Sequence, residues 1–110
     1  MKKKQKDYAA LLAILGQGHE NAISVLQAAQ ILRIDSRTVR ILVLHARLDG
    51  LPLCGDSGKG GGLYLARTDA EKRSTVCRLR RRARTHLMAA AAMERGDTEV
   101  APDEKQESEG

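Results

Sequence analysis

A chain of 110 residues has room for one small domain and short tails, because domains commonly run to ~100–150 residues. Most multidomain enzyme architectures are thereby excluded. With no Phe, no Trp and only Tyr8 and Tyr64 as aromatics, the core must be aliphatic and rich in Ala, and a net charge of +5 points to a polyanionic partner, nucleic acid first.

Single-strand readers stack bases on aromatic platforms, which two tyrosines cannot furnish, so double-stranded DNA is the favoured partner. No apolar run approaches the ~18 residues of a membrane span, and Lys2, Lys3, Lys4 and Lys6 are not followed by a signal-peptide apolar region. The expectation is a cytoplasmic protein without a membrane partner. Cys54 and Cys77 are too few for a disulfide framework and should remain thiols.

Charge divides the chain. Residues 1–95 carry 18 Lys/Arg against 8 Asp/Glu, a net of +10, whereas residues 96–110 carry one Lys against six acids, a net of −5. Residues 1–6 read as a basic arm. Residues 96–110 have almost nothing apolar to offset the entropy of ordering, and read as an acidic disordered tail.

In chain order, Tyr8, Leu11, Leu12 and Leu15 fall at i, i+3, i+4 and i+7, which predicts a first helix over residues 7–15. Gly16 and Gly18 end it, and Ala22-Ile23 reads as an extended link. Ser24 with Gln27 has capping-box spacing and opens a second helix over residues 25–32, burying Ala28, Ala29 and Leu32. After a turn at Arg33-Ile34, Asp35 is the natural N-cap of a third helix over residues 36–49, stopped by Gly50 and Pro52. Residues 51–54 and 63–66 alternate as strands of a hairpin whose tip, residues 55–61, is rich in glycine. Thr68 with Glu71 repeats the capping-box spacing and opens a long helix over residues 69–95, ended by Gly96.

This order predicts a mainly α fold with a small β-hairpin, a winged helix-turn-helix over residues 7–68 followed by a long basic helix over residues 69–95. Residues 10–53 resemble the helix-turn-helix found at the N-terminus of biotin repressors and in sugar-responsive repressors. The matching residues are Ile23-Ser24, Ala28-Ala29, Leu32-Arg33-Ile34, Arg37-Thr38-Val39-Arg40, Ala46 and Gly50-Leu51-Pro52-Leu53. Small phage and prophage DNA-binding proteins are similar in layout, with a glycine-rich wing, a Gly-Leu-Tyr-Leu-Ala strand (residues 62–66) and a long charged helix. The resemblance implies sequence-specific DNA binding by a small bacterial or phage transcriptional regulator. Two positions depart from the pattern: Arg33 stands where a turn glycine is usual, and Ile41 and Leu44 stand where helix three is usually polar.

Arg37 and Arg40 are neighbours near the start of helix three, where a guanidinium can fork onto guanine O6 and N7. Ser36 and Thr38 are short donors for phosphate or base, and Ser24 and Gln27 lie at the start of helix two, whose amides can face phosphates. Arg47 and the wing-tip Lys59 would hold phosphates without specifying sequence. The competing reading of the arginines is a solvated helix face, and of Lys59 a hairpin tip without function.

Helix three has a core stripe of Val39, Leu42, Val43 and Ala46 and a second stripe of Ile41, Leu44 and Leu48, so it should have two burial partners, the second being the hairpin, the long helix or another subunit. The long helix carries Val76, Leu79, Ala83, Leu87 (or His86), Ala90 and Met93 at spacings of three and four, approximating a heptad seam for a homodimer; packing within the chain is the alternative. Beside the seam, Arg78, Arg80, Arg81, Arg82 and Arg84 form a basic band suited to DNA phosphates, to RNA or to the acidic tail. A protein-assembly module, such as a phage replication or packaging accessory, and an RNA-binding arginine helix are the alternatives to DNA binding.

Other chemistries find no pattern. A P-loop would need Gly where Leu53 stands and Ser or Thr where Gly60 stands, and a dinucleotide fingerprint would need Gly in place of Leu63. His19, His45, His86, Cys54 and Cys77 lack metal-ligand spacing, and no nucleophile-base arrangement stands out. No catalytic residue, metal, cofactor or small-molecule ligand is expected.

Overall fold

A computed structural model of the chain describes residues 8–55, 62–96 and 100–101. The chain is mainly helical, with a two-stranded antiparallel hairpin and a long C-terminal helix. Helix α1 spans Ala9–Ile14, α2 Val25–Leu32, α3 Ser36–Leu48 and α4 Asp69–Arg95, and the strands are β1 (Leu53–Gly55) and β2 (Leu63–Leu65). Contacts divide the chain into two compact units, residues 1–79 and 80–110, with the boundary inside α4.

In the first unit the local signals act as physics demands. Ser24 Oγ accepts from Gln27 N–H at 3.0 Å while Gln27 Oε1 accepts from Ser24 N–H at 2.9 Å, closing the capping box that starts α2. Asp35 Oδ1 accepts from Thr38 N–H at 2.9 Å and starts α3. That hydrogen-bonding with Thr38 keeps the Asp35 carboxyl below its ordinary pKa. Between these helices, Arg33 turns the chain at φ 59°, ψ 46°, a left-handed conformation that glycine adopts with less strain.

Leu11 and Leu15, Val25, Ala28 and Ala29, and Val39, Leu42, Val43 and Ala46 form one core, closed from the hairpin side by Leu53 and Leu63. The small Ala28 and Ala29 let α3 approach α2 closely. Tyr8 donates its hydroxyl hydrogen bond to Asp49 Oδ2 at 2.6 Å, joining the start of α1 to the end of α3.

The hairpin pairs Leu53 with Leu65, Cys54 with Tyr64 and Gly55 with Leu63. Gly55 has φ 108°, and a Cβ there would lie 1.7 Å from the Gly62 carbonyl oxygen, so only glycine fits. The first two to three turns of α4 lie over β1, where the buried Thr75 accepts from Gly55 N–H at 3.4 Å.

Several boundaries differ from the sequence reading. Helix α1 stops at Ile14 because Leu15 is already extended, and α3 stops at Leu48. The strands are shorter than expected, at three residues each. The link before α2 contains a 3-10 turn, His19–Asn21, and is no free connection. Ile23 bridges Leu63 antiparallel, and Gln17 bridges Leu65 in parallel, so β2 has partners on both edges. The link exchanges four backbone hydrogen bonds with β2: Ile23 N–H to Leu63 O, Leu63 N–H to Ile23 O, Gly18 N–H to Leu65 O and Leu65 N–H to Gly16 O.

The second unit begins at Arg80, within α4. From Arg80 to Arg95 every residue is exposed except the half-buried Ala91. The basic arm, the hairpin tip at 56–61 and the tail at 97–99 and 102–110 lie outside the described residues. Among the described residues no helix is long and apolar enough to cross a membrane.

Candidate nucleic-acid interface

The outer face of α3 is set by the stripe it buries. Val39, Leu42, Val43 and Ala46 turn inward, and at roughly 100° per residue the opposite face comprises Arg37, Arg40, Ile41, Leu44 and Leu48. All five are exposed. The second apolar stripe therefore has no burial partner among the described residues of its own unit: Ile41, Leu44 and Leu48 are 43%, 52% and 72% exposed. Leu44 borders Leu63 of the hairpin across a small hollow, and Ile41, Leu44 and Leu48 otherwise stay exposed, so the described hairpin and long-helix residues do not bury this stripe.

The remaining α3 candidates are partly engaged. Ser36 and Thr38 are half-buried at the N-terminal turn, with the Thr38 amide held by Asp35. Ser24 and Gln27 hold each other. Arg47 Nε donates to Leu53 O at 2.8 Å and Nη2 to Gly55 O at 3.1 Å, so this guanidinium ties the end of α3 to β1. Arg47 thus has a structural role, since those carbonyls would lose their donors if it swung out. Lys59 lies outside the described residues.

A clamp that sequence reasoning missed fixes the start of α4 to the link. Glu71 N–H does donate to Thr68 Oγ1 at 3.2 Å, as the capping-box spacing predicts. Its carboxylate also takes a hydrogen bond from the Thr68 amide and reaches beyond the capping box. It accepts from Arg67 N–H at 2.7 Å and from His19 N–H at 3.1 Å, and these backbone donors hold the Glu71 carboxyl below its ordinary pKa. Arg67 completes the clamp through Gln17 O at 3.1 Å and an ion pair with Glu20. Above it, the His19 ring meets the buried Tyr64 edge-on at 5.5 Å between centroids.

Of the basic band, Arg78 is half-buried, and Arg80, Arg81, Arg82 and Arg84 are exposed. The seam candidates Val76 and Leu79 are each 38% exposed and border an apolar groove of about 240 Å³ with Leu51 and Leu53. Ala83, Leu87 and Ala90 are exposed in the second unit. Among the described residues no three His, Cys, Asp or Glu side chains gather as metal ligands would. No family model, curated protein or solved structure matches this chain.

Proposed function

We propose that residues 8–79 are a winged helix-turn-helix that binds double-stranded DNA with α3 in the major groove, in a small bacterial or phage transcriptional regulator that acts as a dimer. One observation carries the reading. Helices α2 and α3 are joined by a three-residue turn, and β2 is held between β1 and the α1–α2 link, while the outer face of α3, with Arg37 and Arg40, is left exposed. A helix so presented is what major-groove reading needs: a rigid rod, buried on one side and open on the other, with guanidiniums near its N-terminus.

The exposed arginines of α4 support a second set of phosphate contacts, and its exposed Ala83, Leu87 and Ala90 support pairing with a second copy. Selection from a random duplex pool tests the whole reading. Wild type should enrich an inverted repeat, the double substitution Arg37→Ala, Arg40→Ala should abolish the sequence preference, and Arg80→Ala with Arg81→Ala should weaken all duplexes alike. A single unrepeated half-site would remove the dimer. Enrichment of an RNA hairpin over every duplex, sensitive to the α4 substitutions alone, would replace DNA by RNA.

A further inference from the structure

We infer that Ile41 and Leu44 read thymine, by packing against its 5-methyl group beside guanines held by Arg37 and Arg40. The inference rests on the DNA reading above and assigns part of its specificity.

The outer face of α3 is of mixed chemistry. Two guanidiniums and two branched aliphatics share its first three turns, all exposed. No carboxylate lies within Ser36–Leu48, and the flanking Asp35 and Asp49 are engaged by the Thr38 amide and the Tyr8 hydroxyl. An apolar protein surface would cover Ile41 and Leu44 but leave the guanidiniums without acceptors. A bare phosphate backbone would satisfy the guanidiniums and leave the aliphatics wet. The major groove offers both chemistries side by side, since guanine presents O6 and N7 as acceptors and thymine presents a methyl group.

Dimensions agree. From Arg37 to Leu44 the helix advances ~10 Å at ~1.5 Å per residue, or about three base-pair steps of ~3.4 Å. Ile41 lies one turn beyond Arg37, and Leu44 one turn beyond Arg40. Leu44 and Arg40 also border a hollow of about 90 Å³ against Leu63 of β2. Leu48 lies a further turn on, ~6 Å along the axis, where a straight helix leaves the curved groove, and it serves as a control.

The experiment takes the duplex selected by the wild-type chain and replaces each thymine in turn by deoxyuridine, which removes only the methyl group. Binding is measured by competition anisotropy. Wild type should lose about fourfold for each methyl it buries, at one or two positions next to guanine. Ile41→Ala or Leu44→Ala should bind the thymine and uracil duplexes equally at its own position, Ile41→Val should retain most of the discrimination, and Leu48→Ala should behave as wild type. The substituted side chains are all on the surface, and circular dichroism verifies that each variant is folded. Tight duplex binding without a methyl effect, or an effect that survives both alanine variants, overturns the thymine assignment and leaves the DNA reading standing. If instead both alanine variants dissociate a self-associated chain while duplex affinity is unchanged, the face is a protein interface and the assignment is overturned. Failure to enrich any duplex removes the DNA reading itself.

Discussion

Single residues show where local chemistry suffices to read a sequence and where it does not. Ser24, Gln27 and Asp35 act as their spacing predicts because every partner lies within one helical turn. Arg33 was legible as a departure, and its positive φ bears that out. Arg33→Gly should raise stability by up to about 1 kcal/mol, the left-handed strain exceeding the entropy cost of glycine, with a rise in thermal midpoint as the readout. Glu71 was half legible, since its hydroxyl partner is local but its His19 partner is distant in sequence. Its lowered pKa fixes a sign: the carboxylate favours the folded state at pH above the ordinary glutamate value of ~4.3, and that contribution is lost as pH falls through the lowered folded value. Glu71→Gln should therefore flatten the fall in thermal midpoint between about pH 5 and pH 3, where Asp35 and Glu20 account for part of the remaining slope.

At the scale of elements, helices were legible because their burial period is written in neighbouring residues. The inward stripe of α3 is the buried set that its spacing predicts, and α4 runs over the predicted span. The pairing of β2 with the link was not legible, because the sequence around Ile23 has no alternation long enough to announce a strand. The position of Arg47 was ambiguous for a different reason. It sits at the margin between the core face and the outer face of α3, and the β1 carbonyls decide its direction. Leu63 should be the most sensitive hairpin residue, fully buried and bridged to Ile23 as well as Gly55. Leu63→Ala should cost about 2–5 kcal/mol in urea unfolding, whereas Leu87→Ala, at a side chain 71% exposed, should leave the monomer within about 0.5 kcal/mol.

For the whole molecule, charge is organised on a larger scale than any element. The +10 of residues 1–95 and the −5 of residues 96–110 lie in one chain, so a polyanion meets both attraction and repulsion. If the α4 arginines hold phosphates, replacing Arg80 and Arg81 by Ala should reduce the slope of log K against log salt by roughly 2, without changing which sequences are preferred. Arg37→Ala should instead change the preference more than the slope, because a base edge releases no counterion. Titrating salt on both variants separates the two kinds of contact.

The two-sided pairing of β2 bears on the order in which the chain assembles. During synthesis α1, α2 and α3 emerge first, with the Gly16 carbonyl, the Gly18 amide and both backbone groups of Ile23 still hydrated. Their partners, Leu63 and Leu65, arrive only after the whole hairpin has emerged, and closing so long a loop is the entropically slow part of folding. The hairpin is thus the last part of the sheet to arrive and the part that locks what preceded it. The α1–α2 link gains these four backbone partners only when the hairpin is in place.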